Sequence, residues 1–389
     1  MVENNSIYYK EEHILLRKMV REFAENELAP LAKEIDNTGR FPKESIKKLS
    51  DLGLMGVPWD SKYGGGDMDT ISLVIVIEEL AKICVSTAAT LMAHTSLGTG
   101  PFHYFGTDIQ KEKYLTKLAS GEMIGSFALT EPEAGSDAAS VRTTAVRDGN
   151  GYVINGIKRY ITNSPQAGLF TVFARTDLDT KGANGVSAFL VEADTPGLAV
   201  GKPDRKMGQQ GAHIADVVFN DCRVTGDALV GGVEGQGFKT AMKTLDRGRI
   251  HLGAVCVAVA ERLVSDSLRY AMTRKQFGQP IAGFQLVQAM LADSKTETFA
   301  GRSMVEETAR QRDAGGLVAT EASCCKYFCS EMVGRVADRA VQIHGGAGYM
   351  VDYGIERFYR DVRLFRIYEG TSQIQQLVIA KNMIREAGG

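Results

Sequence analysis

Cysteine is scarce in this chain and never falls in a CxxC pair. The six present are Cys84, Cys222, Cys256, Cys324, Cys325 and Cys329, too scattered for a disulfide framework or a zinc site. Cys325 and Cys329 can share a helix face, yet two ligands make no metal centre, and none is expected. The pattern suits a reduced protein, and the cytoplasm is the expected location. Long apolar runs are missing too: residues 73–77 and 254–260 fall far short of the roughly 20 residues a membrane helix needs. Residues 1–10 show neither a signal-peptide core nor an Arg-rich amphipathic pattern. Neither sign of charge dominates, with Lys plus Arg at 45, Asp plus Glu at 47 and no dense basic run. Nothing here asks for nucleic acid or an anionic membrane surface.

Apolar residues, by contrast, make up 44% of the 389, enough to core two or three domains. They recur at helical spacing over 10–35 (Ile14, Leu15, Met19, Phe23, Leu28, Leu31). Further helices are predicted at 43–53, opened by Pro42 and closed by Gly53, at 72–83, capped by Asp69 or Thr70, and around 86–98 and 108–119. The pattern then turns to Val, Ile, Phe and Tyr in 152–162, 169–175, 185–192 and 215–223, with turn pairs at Asp148-Gly149 and Asn155-Gly156. No helical segment separates these strands, so an antiparallel sheet is predicted. Proline is absent after Pro280, and helical periodicity runs through 238–275, 284–313 and 317–343, long enough for a bundle. The order helical, β, helical matches neither a nucleotide-binding α/β sheet nor a barrel.

Three glycine clusters lack a phosphate-loop signature. Residues 64–66 follow Lys62-Tyr63 rather than a strand and read as a loop. The stretch GGVEGQG (231–237) lacks GxxxxGK[ST] spacing and reads as a flexible lead into a helix at Phe238. GGAG (345–348) follows the helix ending at His344; it is either a C-cap and turn or a place where backbone approaches a ligand closely.

The chain's most informative stretch is IYEGTSQIQ (367–375). Glu369 lies between an aromatic residue and a glycine, and Thr371 or Ser372 can cap the apolar helix that follows. A carboxylate walled by apolar groups has its pKa raised from about 4.3 and becomes a stronger base. A solvated Glu in a tight turn is the plain alternative.

FALTEPEAGSD (127–137), KRYITN (158–163), RKQFG (274–278), QIHGG (342–346) and YEGTSQIQ (368–375) occur in this order. Together they closely resemble the acyl-CoA dehydrogenase family, and the resemblance runs from about residue 10 to 386. It implies an α+β multidomain fold: an N-terminal α-helical domain (1–121), a middle antiparallel β domain (122–233) and a C-terminal four-helix bundle (234–389). It also implies non-covalent FAD, an acyl-CoA substrate, electron-transfer flavoprotein as acceptor, and a homotetramer, a dimer of dimers, in which subunits share FAD. The implied reaction is α,β-dehydrogenation to the trans-2-enoyl-CoA. Glu369 takes the α-proton, the β-hydrogen leaves as hydride to flavin N5, and the Glu369 N–H and a ribityl hydroxyl hold the thioester oxygen. In the family's other solution the base comes from the helix beginning near 242, where this chain has Gly248, so Glu369 alone is retained.

The resemblance assigns cofactor positions residue by residue. Phe127, Leu129 and Thr130 match the strand that meets the isoalloxazine, and Tyr160 and Thr162 match the segment covering its other side. Tyr160 replaces the family's frequent Trp, which bears on flavin shielding. Arg274 and Phe277, with Gln342 and Gly346, match a neighbouring subunit's contribution, and Thr371 and Gln373 match adenosine-side contacts. Arg supplies a fork for phosphate and Phe a stacking face; core packing is the plain reading of Phe277. Ser136 matches a contact to the CoA arm, while Asp246, Arg249, Tyr368 and Gly370 match substrate-side positions. Asp246 and Arg249, three apart, equally suit an ordinary surface ion pair. Gly370 leaves room for substrate beside the base.

Between Lys82 and Lys111, where the family builds its pocket floor, there is no Lys or Arg. A plain aliphatic acyl chain is therefore expected, with His94 and His103 read as structural. TLDRGR (244–249) looks closest to short-chain, butyryl-type members, and Asn163-Ser164-Pro165 departs from the usual turn. Two other readings stand beside the dehydrogenase: a flavin oxidase or monooxygenase on the same fold, and a non-catalytic assembly partner.

Overall fold

The structure, a computed structural model, describes residues 8–180 and 182–388; most of the leader reading of residues 1–10 falls outside them. Helices come first: α1 (Glu11–Phe23), α2 (Ala29–Thr38), α3 (Lys43–Asp51), α4 (Thr70–Ala81), α5 (Val85–Met92), α6 (Gly100–Phe105) and α7 (Asp108–Ala119). Helix α1 buries His13, Leu16, Val20 and Phe23, a stripe at three- and four-residue spacing. Every residue of α4 is buried, as a helix apolar nearly all round must be. Of its two possible caps, Asp69 accepts the Ser72 N–H at 2.9 Å. The helix predicted over 86–98 changes character part-way, because Ala93–Gly98 is a π-turn, a form that concentrates at functional sites.

Seven strands follow among the described residues: β1 (Gly125–Ala128), β2 (Thr144–Asp148), β3 (Gly151–Thr162), β4 (Leu169–Arg175), β5 (Val186–Glu192), β6 (Leu198–Val200) and β7 (Ile214–Thr225). They form one sheet in the order β1-β4-β2-β3-β7-β6, with β5 also on β4. Most pairings are antiparallel, but β1 runs parallel to β4, from Gly125 opposite Leu169, and Thr144 of β2 pairs parallel with Arg175. The β2–β3 hairpin lies between β1 and β4 in the chain and returns it in its original direction. A crossover thus needs no helix, only enough residues. β4 is buried along nearly its whole length because both faces are covered: Leu169 and Phe173 join one cluster, Phe170, Val172 and Ala174 the other. Asp148-Gly149 forms the β2–β3 turn as read, whereas Asn155-Gly156 is a bulge inside β3. A Cβ on Gly156 would lie 2.7 Å from Thr143 Cα, so the bulge requires glycine. Strands β2 and β6, and helix α6, are short pieces the sequence pattern did not show.

The chain then forms α8 (Gly237–Thr273), α9 (Gln285–Asp313), α10 (Ala319–His344), α11 (Gly346–Tyr349), α12 (Ile355–Val362) and α13 (Ser372–Glu386). α8, α9 and α10 pack on one another and α13 lies along α10. α8 and α10 run the same way: Arg249 donates to Ser323 near their starts, and Tyr270 stacks on His344 near their ends, centroids 4.4 Å apart. Gly345, left-handed at φ 58°, ends α10. No helix among the described residues is long and apolar enough to cross a membrane.

The first helices and the last share one core, in which Val20, Ile75 and Leu80 meet Val257, Cys329 and Met332. A buried ion network crosses the same seam. Arg302 of α9 bonds Glu78 of α4 at 3.0 Å and Glu261 of α8 at 2.7 Å, and Arg17 of α1 reaches Glu78 at 3.0 Å and Glu79 at 2.8 Å. Removing one partner of such a network strands the others. Arg302→Met is expected to lower stability by about 3 kcal/mol or more, read as a lower urea midpoint; an unchanged midpoint would discount the network.

Candidate active site

Glu369 sits where α12 and a short 3-10 turn, Arg363–Arg366, hand the chain to α13. Its φ is +56° and that of Gly370 is +89°. Two left-handed residues in succession, one bearing a side chain, store strain of order 1–3 kcal/mol and need support from their surroundings. The support is visible. Gln375 Nε2 folds back to donate to the Glu369 carbonyl at 3.1 Å and the Gly370 carbonyl at 3.2 Å. Lys326 Nζ donates to the Gly370 carbonyl at 2.6 Å. Thr371 caps α13 by accepting the Ile374 N–H at 3.2 Å, and Ser372 Oγ donates to Glu331 at 2.6 Å. Tyr368 stacks on Phe365, centroids 6.0 Å apart.

The carboxyl that this turn presents is buried, and neither oxygen has a hydrogen-bond partner among the described residues. Burial pushes it up to about 7, against the pull of Lys326 and then Arg249. The solvated-turn reading therefore fails. Among the described residues the Glu369 N–H also meets no backbone acceptor. Opposite lies Gly248 of α8: a Cβ there would stand 2.6 Å from Glu369 Oε2 and 3.2 Å from Leu97 Cδ2. Beside it Arg249 is buried, with Nη1 2.6 Å from Asp246 Oδ1 and 3.1 Å from Ser323 Oγ. The pair is thus not the surface ion pair of the plain reading.

The π-turn links this carboxyl to the sheet. Leu97 faces Gly248, and the next residue, Gly98, accepts a bond from Thr171 of β4 at 2.9 Å and abuts Gly125 of β1. The ends of β1 and β3 lie side by side there: Arg159 N–H donates to the Thr130 carbonyl at 2.8 Å, and Ser126 Oγ to the Thr162 carbonyl at 2.6 Å. Phe127, Leu129, Thr130, Tyr160 and Thr162 are therefore brought together. Tyr160 is left-handed, φ 58°, and the residue is 58% exposed. Ser136 is exposed on the loop after Ala134, and Gln373 is exposed on α13. Arg274, Phe277, Gln342 and Gly346 are exposed at the far end of the bundle, with Phe277 93% exposed rather than in the core. From Arg249 to the end of α8 is about 36 Å of helix. No single protomer brings this second group to Glu369.

Models of the N-terminal, middle and C-terminal domains of acyl-CoA dehydrogenases match residues 10–122, 126–222 and 235–384. Among curated relatives, the probable acyl-CoA dehydrogenase YngJ of Bacillus subtilis is 46% identical over 96% of this chain and 98% of its own length. The Caffeyl-CoA reductase-Etf complex subunit CarC of Acetobacterium woodii is 39% identical over 98% of this chain and 100% of its own. The solved butyryl-CoA dehydrogenase of Megasphaera elsdenii superposes with a TM-score of 0.94 at 39% identity, covering 99% of this chain and 100% of that one. The chain belongs to the acyl-CoA dehydrogenase family. It is an oxidoreductase, and its cofactor is FAD.

The residues on hand suit a family member's flavin. Thr130 and Thr162 offer half-buried hydroxyls beside the exposed Tyr160 ring, a polar-edged surface for a flat ring. Behind them is a pair that motif reading overlooked. Lys158 is fully buried, with Nζ 2.6 Å from Glu131 Oε1 and 3.1 Å from the Leu129 carbonyl, and Glu131 also accepts the Arg142 and Thr143 N–H groups. The signal was a lysine at an inward position of β3. Gln375 and Lys326, beneath the Glu369 turn, left no such trace.

In the helices around 80–105, His94 is buried, accepting the Gly125 N–H at 2.9 Å and lying 3.2 Å from the Leu118 carbonyl; burial pushes it down to about 4. It is neutral and structural. Two cations do reach this segment from elsewhere. Arg247 of α8 lies 3.2 Å over the Tyr104 ring, and Arg312 of α9 donates to the Tyr104 hydroxyl at 3.4 Å. Arg247 leaves α8 about 100° from Gly248, on a different flank from the one facing Glu369. Gly248→Ala should displace the carboxyl with little effect on folding, since only the end of a side chain must move. Flavin reduction by acyl-CoA is expected to slow about tenfold to a hundredfold with an unchanged circular dichroism spectrum; an unaltered rate would show the space is not needed.

Proposed function

We propose that this protein dehydrogenates the Cα–Cβ bond of a short- or medium-chain acyl-CoA thioester to the trans-2-enoyl-CoA, with Glu369 as the base. The observation that carries this is the buried, unpartnered carboxyl of Glu369, raised to about 7. A base works best with its pKa near the operating pH, and hydrogen bonds to its oxygens would only weaken it. Glu369 removes the α-proton, and its own N–H is a donor for the thioester oxygen as charge develops there; one such donor is typically worth about 3 kcal/mol. Gly248 leaves the space the α-carbon enters, Tyr368 and Gly370 flank it, and Asp246, Arg249 and Ser136 take the pantetheine and CoA arm. FAD, when bound, accepts the β-hydrogen as hydride.

Phe127, Leu129, Thr130, Tyr160 and Thr162 hold the flavin in this reading, with Thr371 and Gln373 toward the adenosine. Arg274, Phe277, Gln342 and Gly346 serve a neighbouring subunit's FAD, which the length of α8 and the exposure of Phe277 support. That sharing requires at least a dimer, and a homotetramer, a dimer of dimers, is the proposed assembly. The domain limits at 121 and 233 stay part of the proposal, as does a cytoplasmic location, which the six free cysteines favour. Electron-transfer flavoprotein is the proposed acceptor, in keeping with a relative named for an Etf complex. The name of that relative also points to the reverse reaction, in which Glu369 returns the proton; direction depends on the electron partner. The base itself counts against a monooxygenase.

Anaerobic titration of the flavin absorbance with straight acyl-CoAs from C4 to C16, and with isobutyryl- and isovaleryl-CoA, tests the reading, with bleaching expected toward the short end. Because the base must be ionised, the rate should rise with pH through about 7 and then level off. Glu369→Gln should abolish that limb and slow bleaching by about 10²–10⁴-fold. Near wild-type bleaching in this variant would remove Glu369 from its role.

A further inference from the structure

Beneath the catalytic turn, Lys326 of α10 is fully buried, and its hydrogen bond goes to the Gly370 carbonyl. None of the ion pairs among the described residues includes it. A buried ammonium without a paired carboxylate is costly, and an apolar side chain of similar size would fill the space more cheaply. Neutral Gln375 already holds the same carbonyl, so anchoring alone does not explain a charge. Among the carboxylates, Glu369 is coupled to this charge more strongly than Glu331 is, and Lys326 acts on Glu369 more strongly than Arg249 does.

We infer that Lys326 is the positioning residue of the catalytic turn: it clamps the Gly370 carbonyl so that Glu369 keeps its left-handed backbone, and its charge favours the carboxylate form of Glu369 in a site that burial would otherwise keep neutral. The inference rests on the reading of Glu369 as the base. The other groups facing Glu369 do not replace Lys326. From α8, Arg249 is tied to Asp246 at 2.6 Å, which spends much of its charge locally. Cys256, also on α8, and Tyr368, on the turn itself, are pushed up by burial and stay neutral. From α10, Glu331 is bound to Arg366 at 3.2 Å and to Ser372. Burial pulls Lys326 down to about 8, with the carboxylates of Glu369 and Glu331 working against it.

The test compares holoprotein carrying Lys326→Met, Lys326→Gln or Lys326→Arg with wild type. Gln keeps a donor for the carbonyl and loses the charge; Arg keeps the charge. One readout is the pH dependence of flavin bleaching by butyryl-CoA. The other is the ionisation of the Glu369 carboxyl itself, followed as its infrared C=O band in the difference between each protein and its Glu369→Gln counterpart. In Met and Gln the midpoint should rise by about one pH unit or more, with bleaching at pH 7 slowed roughly fivefold and regained at higher pH. In Arg it should stay put. A slower Lys326→Gln with an unmoved midpoint would make the lysine merely structural and overturn the inference. If Lys326→Met does not fold, Lys326→Gln decides by the same criterion. If no acyl-CoA bleaches the wild-type flavin, the proposed reaction fails, while the infrared midpoint still decides the role of Lys326.

Discussion

A carboxyl held out of water with no hydrogen-bond partner among the described residues is the constraint on which this structure turns. Left alone, such a group would be neutral, or the chain would rearrange to solvate it. It survives here because the backbone carrying it is over-determined. Gln375 and Lys326 fix two carbonyls, Thr371 caps the helix that follows, and Ser372 ties the turn to Glu331. The left-handed Glu369 is strain stored where a side chain must point at Gly248 of α8 rather than along its own helix.

The surroundings of that carboxyl come from separate regions of the chain. α8 contributes a residue without a side chain, Gly248; the π-turn contributes Leu97; and the ends of β1 and β3 stand behind it. The shared core of first and last helices, with the Arg302, Glu78 and Arg17 network through it, sets α4, α8 and α9 rigidly against each other. A packed interior transmits small displacements, so the position of Gly248 relative to Glu369 depends on contacts far from either.

Much of this was legible before any coordinates. Helices such as α1 and the long proline-free α8 to α10 declare themselves by period, although in α1 Ile14 and Leu15 are exposed and His13, Leu16 and Val20 face inward instead. Strands whose both faces are covered, such as β4, show no such period and are marked instead by a short run rich in β-branched and aromatic residues. The parallel pairing of β1 with β4 was hidden, because it depends on where a hairpin returns the chain rather than on any local pattern. Asn155-Gly156 misled for a related reason: the same dipeptide serves a turn or a bulge, and the close approach of Thr143 chooses the bulge.

By itself, the sequence determined the order of helical and β regions and the short motifs that mark the family, the one around Glu369 among them, since each is written in local periodicity or in residue type. Only the tertiary structure decided that the Glu369 carboxyl is buried and unpartnered, that Lys326 lies beneath its turn, and that Arg274 and Phe277 stand a helix length away from it. The reason is that ionisation and reach depend on what surrounds a side chain in space. Apart from Gln375, those neighbours come from α8, α10 and the sheet, with Lys326 44 residues from Gly370 in the chain, a separation that no local pattern spans.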